Sequence, residues 1–110
     1  MHKRIQALGR MKTGKMNKTE EAYSKHLELR KHAGEIVWYK FEGWKFKLAD
    51  NTFYTPDFAV MLASSELQCH EVKGFWTDDA RVKIKVAADI YPIKFIAVKK
   101  SKGGWAIEEF

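Results

Sequence analysis

The sequence has few of the features that mark secreted or membrane proteins. Its single cysteine, Cys69, cannot form a disulfide within the chain. No apolar run approaches the roughly 18 residues of a membrane span, and the N-terminus lacks the apolar core of a secretory signal. We therefore expect a protein of the reducing cytoplasm, without a membrane association.

The sequence also lacks the composition of a disordered chain. Hydrophobic residues make up 45% and aromatic residues 14% of its 110 residues, which is enough to form a packed core. A chain of this length fits one domain of roughly 100–150 residues and is too short for two. No glycine-rich phosphate loop, nucleotide fingerprint or Ser/His/Asp order indicates another class of enzyme.

Acidic residues are absent from the first eighteen positions. This stretch carries a charge of +6, while residues 19–110 contain 14 basic and 14 acidic residues and are neutral. The pattern predicts a flexible basic arm over residues 1–16 and a folded domain over residues 17–110. Such an arm suits binding to a phosphate backbone, with Lys12, Lys15 and Lys18 as contacts. A basic arm can also bind an acidic protein partner.

Hydrophobic periodicity predicts an α/β fold with a mixed β-sheet flanked by helices. A helix begins at the Asn17 cap, with Glu20 completing a capping box, and Gly34 ends it. Residues 79–91 favour a second helix, although V-K-I-K-V alternates like a strand. Strands are expected at residues 36–41, 44–48, 53–62, 67–73, 93–98 and 105–108, which gives the order α-β-β-β-β-α-β-β.

Two acidic residues and a lysine are spaced so that neighbouring strands bring them together. Glu71 and Lys73 lie two apart in one predicted strand and therefore project from the same face. An antiparallel hairpin with the preceding strand can place Asp57 beside Glu71. Two close carboxylates repel each other unless a cation lies between them, and their oxygens suit Mg²⁺ or Mn²⁺. Such a metal and Lys73 together suit phosphodiester hydrolysis.

The motif Pro56-Asp57…Glu71-Val72-Lys73 resembles the PD-(D/E)xK nuclease signature. Three longer segments are most similar to those of small phage-encoded endonucleases related to Holliday-junction resolvases: N-K-T-E-E-A-Y, Y-T-P-D-F and H-E-V-K-G-F-W. The resemblance implies a restriction-endonuclease-like core, Mg²⁺-dependent cleavage of DNA, branched DNA as substrate and a homodimer. It also implies Glu20 as an additional metal ligand, and Lys83 and Lys85 as DNA contacts on the helix after the motif.

Each of these residues also has a purely structural interpretation. Pro56-Asp57 can form a turn, Glu71 and Lys73 can be a surface ion pair, and Glu20 can serve only as a helix cap. The lysines of the second helix can simply be solvated. Two other functions therefore stay open: a DNA-binding module that has the fold without catalysis, and a phage accessory protein that binds other proteins.

Overall fold

The computed structural model describes residues 14–110, which form two helices and seven strands. Residues 1–13 of the predicted arm, including Lys12, lie outside the described residues. None of the helices in residues 14–110 has the length and apolar character needed to cross a membrane. The elements are α1 (Lys18–His32), β1 (Ile36–Phe41), β2 (Phe46–Ala49), β3 (Thr52–Tyr54), β4 (Phe58–Leu62), β5 (Leu67–Val72), α2 (Asp78–Ile90), β6 (Lys94–Ser101) and β7 (Gly104–Glu109).

The first helix begins and ends at the residues that the sequence predicts. The Asn17 side chain accepts a hydrogen bond from the Glu20 amide at 2.8 Å, and the Glu20 carboxylate accepts one from the Asn17 amide at 2.9 Å. This is the predicted capping box. At the other end, Gly34 has a φ of 82°, and the Glu35 amide donates to the Arg30 carbonyl at 2.9 Å. That pattern is a Schellman motif, in which glycine adopts the left-handed conformation without strain.

Five strands form one mixed sheet in the order β1-β4-β5-β6-β7, and β2 and β3 form a separate two-stranded ribbon. Strands β5 and β6 are parallel and are connected through α2, while the other neighbours are antiparallel. The predicted α/β class with a mixed sheet is thus confirmed. The two observed strands at the C-terminal end are longer than the predicted ones at 93–98 and 105–108, because β6 and β7 continue pairing as a hairpin up to the turn.

The single strand predicted over residues 53–62 is wrong, because the chain forms two strands there. Residues Thr52–Tyr54 pair with β2, whereas Phe58–Leu62 pair with β1 and β5. Pro56 lies between the two strands, where its missing N–H group cannot extend a ladder. The observed order is therefore α-β-β-β-β-β-α-β-β rather than α-β-β-β-β-α-β-β.

Helices cover both faces of the main sheet. Tyr23 and Leu27 of α1 pack on one face, against side chains that include Phe58 and Val60. On the other face, Ile84 of α2 packs against Phe95 together with the β2–β3 ribbon. Successive side chains of β5 and β6 point alternately to the two faces of the sheet, as the strand period of two requires. The sheet edge at which β4 begins and β5 ends lies between these two layers.

Candidate metal and nuclease site

Asp57 and Glu71 lie side by side at this edge of the sheet. The antiparallel register pairs Phe58 with His70, so Asp57, one residue earlier, comes opposite Glu71, one residue later. The Asp57 amide donates a hydrogen bond of 3.2 Å to Glu71 Oε1. The hairpin that the sequence predicts is thus present, and it brings the two carboxylates together.

Both carboxylates are buried and are held by hydrogen bonds. The exposed fraction is 0% for Asp57 and 4% for Glu71. Asp57 Oδ2 accepts a hydrogen bond of 2.9 Å from the Val72 amide. Glu71 Oε1 accepts a second hydrogen bond, of 2.9 Å, from the Tyr54 hydroxyl. The backbone and one phenol therefore fix the orientation of both acidic side chains before any ligand binds.

Tyr54 is a site residue to which the sequence analysis assigns no role. Burial raises the pKa of its phenol well above the usual value, and the negative charge of Glu71 raises it further. The hydroxyl therefore stays protonated and donates to Glu71. Tyr54 lies three residues before Asp57. That spacing indicates a role at the site only when the strand is known to break at Pro56.

Lys73 provides a positive charge at the pair. Its Nζ lies 3.3 Å from Glu71 Oε2, and its side chain is 21% exposed. The same Nζ lies 5.7 Å from the ring centre of Trp76, within the range of a cation–π interaction. The Lys73 amide donates to the Val98 carbonyl at 2.9 Å. The lysine is therefore anchored to the parallel strand β6 while its amine stays reachable from solvent.

The donor set fits a hard divalent cation. Asp57 and Glu71 contribute carboxylate oxygens, which Mg²⁺ and Mn²⁺ prefer. Residues 14–110 contain no group of three or more His, Cys, Asp or Glu side chains arranged to hold a metal. A Mg²⁺ ion commonly takes only one or two protein carboxylates and completes its shell with water and phosphate. Two carboxylates are therefore a sufficient protein contribution.

Glu20 is held in its capping box and does not form a preformed three-carboxylate group with Asp57 and Glu71. It is nevertheless only 1% exposed, whereas a glutamate that merely caps a helix needs no burial. Removing a carboxylate from water carries a free-energy cost. Glu20 thus has a structural role that is visible in its contacts, and a role at the metal remains a prediction.

The neighbours of Glu71 in β5 serve the packing of the core. His70 Nδ1 lies 2.7 Å from the Tyr23 hydroxyl and Nε2 lies 2.9 Å from Gln68 Oε1. Burial lowers the pKa of His70 to about 3, so the ring is neutral. As the residue before Glu71 in β5, His70 points to the opposite face of the sheet. Burial also raises the pKa of the Cys69 thiol to about 12, which keeps that side chain an uncharged filler of the core.

The predicted DNA-contacting lysines are spread over the molecule. Lys15 and Lys18 are exposed just before and at the start of α1, and Lys85 is exposed on α2. Lys83 is half-buried on the same helix. Within residues 14–110, neither lysine of α2 forms a salt bridge with Asp57 or Glu71. A role of these four lysines in DNA contact remains a prediction.

Neither a protein-family model, nor a curated protein, nor a solved structure matches the chain.

Proposed function

We propose that the protein is a Mg²⁺-dependent DNA endonuclease that hydrolyses phosphodiester bonds. One observation carries the proposal: Asp57, Glu71 and Lys73 are brought together at the edge of the sheet, with 3.2 Å between the Asp57 amide and Glu71 Oε1 and 3.3 Å between Lys73 Nζ and Glu71 Oε2. Two oriented carboxylates beside a lysine are the parts that metal-assisted phosphate hydrolysis needs.

Each residue has a defined task in this proposal. Asp57 and Glu71 would hold Mg²⁺, or Mn²⁺ in its place, and the bound ion would polarise the phosphodiester and lower the pKa of the attacking water. Lys73 would orient the water or offset the charge that develops on the phosphate. The Tyr54 hydroxyl and the Val72 amide keep the two carboxylates in position. The capping glutamate Glu20 would support the metal from α1.

Branched DNA is the proposed substrate, on the resemblance to junction-resolving enzymes. Resolution of a four-way junction requires two cuts and hence two sites, so a homodimer is the proposed assembly. The basic arm, together with Lys83 and Lys85, would contact the phosphate backbone independently of sequence. The neutral domain needs no further basic patch at the site, since a bound dication supplies positive charge there.

A cleavage assay on three DNA substrates tests this function. A four-way junction, a duplex and a single strand of matched sequence are incubated with the protein in Mg²⁺, in Mn²⁺ and in EDTA. We expect cleavage in both metals and none in EDTA, with the junction cut fastest. Cleavage that persists in EDTA would contradict the metal assignment. Binding without cleavage of any substrate would support the non-catalytic DNA-binding module, and absence of binding would support the protein-binding accessory.

The Tyr54→Phe variant tests the positioning of Glu71. Removal of the hydroxyl leaves Glu71 Oε1 with the Asp57 amide as donor and frees the carboxylate to rotate. Removing the partner of a metal ligand typically costs 10- to 100-fold in metal affinity or activity. We therefore expect the Mg²⁺ concentration for half-maximal cleavage to rise roughly 10-fold, with the maximal rate less affected. An unchanged Mg²⁺ dependence would show that the phenol serves only the core.

Glu20→Gln separates the two roles of Glu20. Glutamine still accepts the hydrogen bond from the Asn17 amide, so the cap and the melting temperature are retained. Loss of the carboxylate charge is expected to lower cleavage roughly 10-fold by weakening support of the metal. The matched variant Asn17→Ala removes the cap instead, and should lower the stability by about 1 kcal/mol without changing the Mg²⁺ dependence. Equal cleavage by Glu20→Gln and wild type would restrict Glu20 to capping.

A further inference from the structure

A groove extends from Lys73 toward the outer strand β7, beside the carboxylate pair. Its lining includes Ala97 and Val98 from the middle of β6, residues 74–76 of the loop after β5, and residues 106–108 of β7. Its volume is about 180 Å³. Of the residues that line this groove, only Lys73 has a role in the proposed hydrolysis.

The groove is continuous with the candidate site. Glu71 and Ala97 are register partners in the parallel pair β5–β6, so they lie one strand spacing, about 4.8 Å, apart on the same face. Lys73 belongs to both, because its amine lies beside Glu71 and its side chain lines the groove. A nucleotide next to a phosphate bound at the carboxylate pair through a metal would therefore lie close to the groove.

The lining of the groove suits a flat apolar ring. Phe75 is 79% exposed and Ile107 is 62% exposed, so both side chains offer apolar surface to a ligand in the groove. Trp76 also lines the groove. A cavity of roughly 150 Å³ accommodates a benzene ring, so a groove of about 180 Å³ has room for a planar ring.

The charges around the groove suit an anionic backbone on either side of that ring. Lys73 and Lys99 both line it. The one acidic lining residue, Glu108, is neutralised by the Arg81 guanidinium, which reaches both of its oxygens. Arg81 in turn lies 5.2 Å from the Trp76 ring centre and 5.3 Å from that of Phe110. With Glu108 paired to Arg81 and Lys73 beside Glu71, Lys99 is the lining residue that adds a further positive charge.

We propose that the groove binds one unpaired nucleobase of the DNA strand that the carboxylate pair cleaves, with Phe75 as the stacking surface. The proposal rests on the nuclease function proposed above and specifies its substrate as DNA with an unpaired nucleotide at the cleavage position. In an intact duplex each base is already stacked and paired, so its ring cannot enter. A bulge, a flap or the branch of a junction supplies such a base, and flanking phosphates then reach Lys73 and Lys99.

Binding without divalent metal tests the groove independently of cleavage. Two DNAs of equal length are compared in EDTA: a duplex with a one-nucleotide bulge that carries 2-aminopurine, and the fully paired duplex. Base–aromatic stacking is lost on alanine substitution with a penalty that corresponds to roughly 5- to 150-fold in affinity. We expect Phe75→Ala to weaken binding of the bulged DNA by a factor in this range and to leave duplex binding within about 2-fold.

Further variants identify the ring as the cause. Phe75→Trp keeps a stacking surface and should retain the preference for the bulge, whereas Ala106→Trp fills the groove and should remove it. Lys99→Ala should weaken binding of the bulged DNA, while its neighbour Lys100→Ala and the exposed Leu29→Ala should not. The emission of 2-aminopurine should fall on binding of the wild type and stay unchanged with Phe75→Ala.

Three results would overturn the groove assignment: equal weakening of both DNAs by Phe75→Ala, no preference of the wild type for the bulge, or unchanged 2-aminopurine emission with the wild type. If the wild type cleaves DNA and the Phe75→Ala variant binds the bulged DNA as tightly as the wild type does, this inference is overturned and the nuclease proposal stands. A wild type that quenches 2-aminopurine but never cleaves would overturn the nuclease proposal instead.

Discussion

Asp57→Asn is expected to lower the rate of DNA cleavage roughly 10³-fold or more while the protein stays folded. The neutral amide is a weak ligand for a hard dication, so the metal that assists hydrolysis is lost. The fold is retained because asparagine keeps an oxygen that can accept the hydrogen bond from the Val72 amide, which Asp57 Oδ2 accepts in the wild type. Single-turnover cleavage of a labelled four-way junction measures the rate, and thermal unfolding measures the stability.

Asp50→Asn is the matched control for this substitution. Asp50 carries the same carboxylate at the β2–β3 turn, where its side chain is 98% exposed. We expect its cleavage rate to equal that of the wild type. Glu71→Gln should reproduce the loss seen with Asp57→Asn, since glutamine can still accept from Tyr54 and from the Asp57 amide. If Asp57→Asn cuts DNA as fast as Asp50→Asn does, Asp57 is a turn residue and not a metal ligand.

Lys73→Ala is expected to lower cleavage by roughly 10²- to 10³-fold, the usual effect of removing one group that stabilises charge in a transition state. The Lys73 amine lies 3.3 Å from Glu71 Oε2, so it lies close to where a metal bound by the two carboxylates would hold the phosphate. Lys73→Arg keeps the positive charge but replaces a compact amine by a planar fork, and should restore only part of the rate. Metal affinity should change less than the rate does.

A second lysine distinguishes a catalytic role from a general loss of positive charge. Lys47 on β2 has a side chain that is 60% exposed and pairs with Asp50, so Lys47→Ala removes one charge without touching the site. We expect wild-type cleavage from this variant. Lys73 also packs near Trp76, so thermal unfolding of Lys73→Ala is measured in parallel. Equal rates for the two alanine variants would make Glu71 and Lys73 a structural ion pair.

Local signals in the sequence were sufficient to predict much of the fold. Asn17 and Gly34 predict the limits of α1 because a capping side chain and a left-handed glycine act within one turn of the helix. The segment around V-K-I-K-V is helical as predicted, although it alternates like a strand. Thr77 caps it, and Ile84 and Ala87, three residues apart, reach the sheet.

The break at Pro56 was not predictable from periodicity. Residues 53–62 read as one apolar run, and the choice between one strand and two depends on which partners the two halves find. The first half pairs with β2 in a local hairpin, whereas the second half pairs with the following strand β5 and with the more distant strand β1. Tyr54 went unassigned for the same reason, since it reaches Glu71 only when the chain turns between it and Asp57.

The core of the candidate site was predictable because strand geometry fixes it. A two-residue spacing puts Glu71 and Lys73 on one face, and a hairpin register puts Asp57 opposite Glu71. Helical periodicity places Glu20 at the border of the buried face of α1, in line with its exposure of 1%, but no spacing could reveal the groove beyond Lys73. The groove forms only where the loop of Phe75 and Trp76 comes together with the hairpin β6–β7. Phe75 and Trp76 follow the motif directly, but the sequence does not show which surface they form with β6 and β7.

Reversible dependence on metal at Asp57 tests the central proposal most directly. Wild type and Asp57→Asn, purified in parallel, are incubated with a labelled four-way junction in EDTA, and excess Mg²⁺ is then added to the same samples. We predict no cleavage of the junction before the addition, rapid cleavage by the wild type after it, and no cleavage by Asp57→Asn at either stage. Cleavage by the wild type before Mg²⁺ is added, or equal cleavage by both proteins afterwards, would contradict a metal-dependent nuclease site built on Asp57 and Glu71.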